Sequence, residues 1–188
     1  MDFNGNGVFD NCSMDTCVSS YGSNAMLPLV ADCESTGRPI GVFEPDTGNW
    51  HLDNGNGQWD ACSSTGDTCI TTYGSPGNFP VVKELSSEKL VLGTFQAQVT
   101  TQVNGTNETK EGVWNFDLDG DGNVDKCNID QCIENFGQTG DLAIIGDWNG
   151  TGKEEIGAPL AFWRNGHLNL LARWAGQSKN EIKVILSS

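Results

Sequence analysis

Asp117, Asp119, Asp121 and Asp125 set four carboxylates within nine residues, interleaved with Gly120 and Gly122. Side chains at positions 1, 3 and 5 of a tight turn converge on one point. Glycine lets the backbone turn there, the position 7 carbonyl (Asn123) adds a ligand, and the acid at position 9 closes the shell. Calcium takes six to eight oxygens at about 2.3–2.6 Å, and this spacing supplies that chemistry. Without a cation the like charges repel one another across the turn.

The spacing recurs. Asp2, Asn4, Asn6, the Val8 carbonyl and Asp10 form one copy, and Asp147, Asn149, Thr151, the Lys153 carbonyl and Glu155 form another. The middle copy is one residue short. Aligned on its glycines, Leu52 falls in the first ligand place, so Asp53, Asn54, Asn56, the Gln58 carbonyl and Asp60 are expected to make a distorted site. Asp32, Glu34 and Thr36 lack a closing acid and are expected to hold no ion. An EF-hand closes with Glu at position 12. Ser13, Asn128 and Ala158 stand there, so these loops are of another kind. The bland alternative is that Asn-Gly and Asp-Gly merely make hairpin turns. Against it stands the recurrence of the same nine-residue spacing.

Cys12 with Cys17, Cys62 with Cys69 and Cys127 with Cys132 form close pairs, and Cys33 stands apart. Short spacings in an acidic, glycine-rich chain predict a disulfide within each pair and an oxidising compartment. Zinc and free thiols are the rival readings. Zinc favours Cys-x2-Cys or a nearby histidine, and the histidines are His51 and His167 alone. A bridge over so short a loop contributes about 2 kcal/mol in the chain-entropy model. Its role is to pin an excursion that has no core of its own.

These loops belong to a repeat. Each acid-to-cysteine stretch is followed by an aromatic-glycine pair: Tyr21-Gly22, Tyr73-Gly74 and Phe136-Gly137. Asp10, Asp60 and Asp125 mark units of 50 and 65 residues. The organisation is unit 1 over 1–50, unit 2 over 51–114, unit 3 over 115–175 and a closing or donated strand over 176–188. Residues 97–112 are a polar insertion in unit 2, read as an extended hairpin or a flexible loop. Short apolar segments bounded by Gly, Asn and Asp recur in each unit, at 27–30, 40–43 and 50–52, at 79–82, 91–95 and 113–116, and at 142–145, 156–162 and 167–171. With no sustained helical period, they predict an all-β fold of about four short strands per unit, with one helical turn allowed between paired cysteines. Repeats of this size and strand number resemble propeller blades.

Phe136-Gly137 followed by Gly146-Asp-Trp-Asn-Gly-Thr-Gly-Lys-Glu-Glu-Ile-Gly-Ala-Pro159 resembles the FG-GAP repeat of integrin propellers and bacterial surface proteins. The stretch from Trp50 to Asp60 is similar to the second stretch of the bacterial variety. The resemblance covers nearly all of residues 1–175, weakly in 83–112. It implies four-stranded blades with calcium held in the acidic loops, carried over to Asp147, Asn149, Thr151 and Glu155 in the clearest copy. A closed propeller usually needs four or more blades, and this chain holds about three units.

With 25 acidic and 10 basic residues, the formal charge of the 188-residue chain is -15. Such a field repels nucleic acid and anionic membranes. No apolar run reaches 18 residues. Met1 to Asn4 show neither a basic nor an apolar leader region, so a signal peptide is expected to be absent or removed. Trp50, Trp59, Trp114, Trp148, Trp163 and Trp174 sit at repeat positions and read as packing before sugar stacking. Asn104 and Asn107 begin glycosylation sequons. No nucleophile or phosphate motif is present, and calcium accounts for the acid pairs before acid–base chemistry does. The expectation is a non-catalytic, extracellular calcium-binding repeat protein with a structural or adhesive role. Its partner would be another copy of itself, in a ring or filament, or a surface or matrix component. The alternative is a glycan-binding or accessory module of a secreted carbohydrate-active enzyme.

Overall fold

The computed structural model describes residues 7–8, 10–13, 17–30, 40–63, 65–86, 89–147, 150–164 and 167–171. Among these residues the fold is all-β, with twelve strands and no helix. The first sheet contains β1 (Leu27–Val30), β2 (Ile40–Glu44), β3 (Asn49–Leu52) and β4 (Thr68–Ile70), in that order and antiparallel throughout. The second repeats this meander with β5 (Phe79–Ser86), β6 (Lys89–Val103), β7 (Thr106–Phe116) and β8 (Gln131–Ile133). Two smaller sheets pair β9 (Ile144–Gly146) with β10 (Glu155–Gly157) and β11 (Leu160–Arg164) with β12 (His167–Leu171). The four-stranded sheets run over 27–70 and 79–133, so each carries an acidic loop between its third and fourth strands.

Cross-strand aromatic pairs explain why the short strands hold. Phe43 faces Trp50 across β2 and β3, and Phe95 faces Trp114 across β6 and β7. All four rings are fully buried. Directly opposed aromatic pairs are a stabilising unit of antiparallel sheets. The first core gathers Phe43, Trp50 and Tyr73, with Leu92 of β6 packed against it. The second gathers Val91, Phe95, Trp114 and Phe116 with Ile156 and Ala158. Successive side chains alternate in face along a strand. Leu92 thus serves one core and Val91 the other, which places the second sheet between its neighbours.

The aromatic-glycine pairs are packing devices. Trp50 Nε1 donates to the Tyr73 carbonyl, and Trp114 Nε1 donates to the Phe136 carbonyl at 2.6 Å. The following glycines have φ of 140° at Gly74 and 110° at Gly137, a region that L side chains rarely adopt. A Cβ at Gly137 would press on the Phe95 ring at 3.0 Å.

The insertion at 97–112 is a hairpin. Asn104 (φ 51°) and Gly105 (φ 79°) make the two-residue turn whose positive φ values match strand twist. Three expectations are revised. Each four-stranded sheet gains its last strand from the segment bearing the second cysteine, Cys69 or Cys132, which has too few residues to show a period. Among the described residues the helical turn between cysteines is seen as Lys126 O accepting from Ile129 and Asp130, while residues 14–16 of the first pair lie outside them. The apolar run 156–162 is split between β10 and β11, because the Pro159 carbonyl turns aside to accept from Leu142. Cys33, the loop around Asp32 and the segment 176–188 lie outside the described residues.

Candidate metal centre

Each acidic loop begins where a sheet ends. Asp53 N–H donates to Ile40 O at 2.9 Å and Asp117 N–H to Leu92 O at 3.0 Å, each one step beyond the strand. The chain then turns away and its first aspartate caps the turn. Asp117 Oδ1 accepts from Gly120 at 2.7 Å and Oδ2 from Gly122 at 2.9 Å. Asp147 accepts from Thr151 at 2.9 Å and Gly152 at 2.7 Å. Asp53 accepts from Gly57 with both oxygens, at 3.0 and 3.1 Å. Asp53 therefore takes the first ligand place, and Leu52 stays in β3 opposite Gly41. The missing residue falls after that aspartate, inside the loop.

In the strongest loop the predicted ligands come together. Asp119, Asp121 and Asp125 place one carboxylate oxygen each within 4.8 Å of one another, and Asp117, Asp119 and Asp130 do the same. Burial first, then the charges of Asp121, Asp119 and Asp130, hold the Asp125 carboxyl above the usual range. Burial also raises Asp117, against the pull of the Gly122 and Gly120 N–H groups. Among the described residues no lysine or arginine ion pair relieves these charges. Asn123 N–H donates to Asp121 Oδ1 at 2.7 Å, which orients that carboxylate.

The other loops are less assembled. Asn56 Nδ2 donates to Asp60 Oδ2 at 2.7 Å, and Asn54 Nδ2 points to Thr65 O at 3.2 Å. Amide groups thus occupy space that a cation would need, and Gln58 is exposed. Asp147, Thr151 and Lys153 are exposed, and Glu155 lies on β10. That loop joins β9 to β10, a different connection from the one holding Asp53 or Asp117. Asp2, Asn4, Asn6 and Asn149 lie outside the described residues, while Val8 and Asp10 are exposed.

Among the described residues three buried acids escaped the sequence reading, Asp67, Asp130 and Asp141, and the first two serve the acidic loops. Asp67 is 1% exposed and Asp130 3% exposed. Asp130 Oδ1 accepts from Leu118 at 3.0 Å and Oδ2 from Asp125 at 2.9 Å, stapling both ends of its loop. Asp67 does the same with Asn54 at 3.4 Å and Asp60 at 3.0 Å. Their signal was present as Asp-x-Cys at Asp67-Thr-Cys69 and Asp130-Gln-Cys132, and at Asp15-Thr-Cys17, of which Asp15 and Thr16 lie outside the described residues.

All three cysteine pairs are disulfides, with Cα–Cα distances of 5.1 Å for Cys12–Cys17, 5.5 Å for Cys62–Cys69 and 5.2 Å for Cys127–Cys132. The bridge consumes the thiols beside His51, whose Nδ1 lies 3.4 Å from Cys69 Sγ, so that group offers no zinc thiolates. Trp50 and Trp114 are core residues, whereas Trp59 is 43% exposed between Tyr21 and His51. Trp148, Trp174 and the Trp163 and His167 side chains are outside the described set. The loop of Asp117 to Asp130 offers the oxygens of five aspartates, which suits a hard cation such as calcium. Comparison with protein-family models, curated proteins and solved structures returned no match.

Proposed function

We propose that this chain is a non-catalytic, extracellular calcium-binding repeat protein with a structural or adhesive role, built of FG-GAP-like blades. The observation that carries the reading is the loop of Asp117, Asp119, Asp121, Asp125 and Asp130, whose carboxylates form two overlapping clusters with no lysine or arginine paired to them among the described residues. The serial packing of two meanders through Leu92 and Val91 supports the blade arrangement. The three disulfides support an oxidising location.

Calcium is expected to raise the melting temperature of the full chain. Extracellular sites bind at about 10⁻⁴–10⁻³ M, so each contributes roughly 1 kcal/mol at millimolar calcium. Thermal melts in calcium, magnesium and excess chelator test this, and equal midpoints in calcium and chelator would sink the reading. A second reading, glycan binding, is favoured by Trp59, an exposed ring flanked by Tyr21 at 5.2 Å and His51 at 4.8 Å between centroids. Titration of Trp59 fluorescence with oligosaccharides separates the two.

A further inference from the structure

Tyr73 presents a chemical problem that its own sheet does not solve. The side chain is fully buried in the first core, yet its hydroxyl makes no hydrogen bond of ordinary geometry, and the Asp117 backbone N–H beside it is already given to Leu92 O. A buried hydroxyl left unsatisfied is destabilising. The hydroxyl sits beside Asp130 and Asp117, which belong to the loop of the second sheet. Around it the two sheets touch at two more points. Thr72 Oγ1 donates to Gly122 O at 2.5 Å, and a Cβ on Gly122 would meet Ile70 at 3.1 Å.

The same meeting occurs one unit earlier. The Tyr21 hydroxyl is likewise buried and lies against the Asp67 carboxylate of the following loop, with Asp53 and Asp60 close by. Val18, three residues before Tyr21 as Ile70 is before Tyr73, sits 3.5 Å from a Cβ on Gly57.

Asp130 is more than a staple. Each of its carboxylate oxygens accepts one backbone N–H and keeps a second lone pair. One of those oxygens lies within 4.8 Å of an oxygen from Asp117 and one from Asp119. Building on the calcium reading above, we propose that Asp130 is a cation ligand and that Tyr73, from the preceding sheet, holds it in place by hydrogen bonding to the loaded site, directly or through a cation-bound water. Cation binding and the docking of adjacent sheets are then one event. Asp67 and Tyr21 are the corresponding pair in the unit before. Tyr73 acts through Asp130 and is a positioning residue.

The test uses the full chain, calcium alone as the probe, and two variants. Tyr73→Phe keeps the buried ring and removes only the hydroxyl. Asp130→Asn keeps an acceptor oxygen for the backbone and removes the charge. Calcium affinity by calorimetry is expected to fall severalfold in Tyr73→Phe and at least tenfold in Asp130→Asn. The melting temperature in excess chelator should stay level or rise in Tyr73→Phe, a separation that a merely structural tyrosine does not produce. Wild-type calcium affinity in Tyr73→Phe and in a folded Asp130→Asn overturns the inference and leaves the calcium reading standing. Absence of calcium binding by the unaltered chain overturns both.

Discussion

Single atoms decide much of this fold, and Gly137 shows how. Its φ of 110° and the Phe95 ring 3.0 Å from a notional Cβ impose two separate penalties on any side chain. Gly137→Ala is expected to destabilise the protein by about 1–3 kcal/mol, read by urea denaturation. Gly105→Ala is the control: φ is 79° but nothing lies within 4 Å, and the residue tips an exposed hairpin. Its cost is about 1 kcal/mol, confined to the hairpin, and equal global losses for the two variants would refute the packing argument. At this scale the sequence was legible where chemistry repeats at fixed spacing. The closeness of the Asp119, Asp121 and Asp125 carboxylates was legible because their nine-residue loop repeats a fixed spacing along the chain. Asp130 was missed because it lies outside the nine-residue spacing, within the segment closed by the Cys127–Cys132 bridge, and only the fold brings it back to the loop.

At the scale of elements, apolar segments such as 27–30, 40–43 and 50–52 became strands close to their expected limits. Those segments carry paired aromatic or branched residues that need a partner strand to be buried. The strands holding Cys69 and Cys132 were not legible, since three residues cannot display alternation and their edge is set by the neighbour. The long arms of β6 and β7 are a different case. Beyond Glu111 nearly every side chain to the turn is exposed, and Thr100 meets Thr109 at 3.2 Å with no core beneath. The ion pair of Lys110 with Glu134, at 2.6 Å, is 43% and 40% exposed at its two side chains, where solvent screening leaves it little to contribute. Removing residues 99–110 and joining the strands with Asn-Gly is expected to change global stability by less than about 1 kcal/mol in chemical denaturation. A larger loss would mean that the arms contact more than each other.

For the whole molecule, the two meanders leave outer strands whose far edges are unpaired within their own sheets: β1 and β4 in one, β5 and β8 in the other. Exposed edges invite another chain. The apolar stretch 182–186 lies outside the described residues and supplies a strand-like sequence for such pairing. A head-to-tail contact of this kind gives a ring or a filament. Light scattering is expected to show oligomers for the full chain and monomers after truncation following Gln177. Folded monomers in both cases would exclude assembly through this strand.

The third aromatic-glycine pair departs from the first two in one atom. Tyr21 and Tyr73 each precede an acidic loop of the Asp53 and Asp117 kind, and Phe136, which lacks the hydroxyl, precedes none. Its carbonyl still receives Trp114, so the packing half of the residue's work is kept while the polar half is gone. An array wired in this way is vectorial. Its units cannot be shuffled or reversed without stranding a phenol in an apolar core or parting the proposed cation site from its upstream half. The choice between tyrosine and phenylalanine becomes a one-atom mark of whether another such site follows.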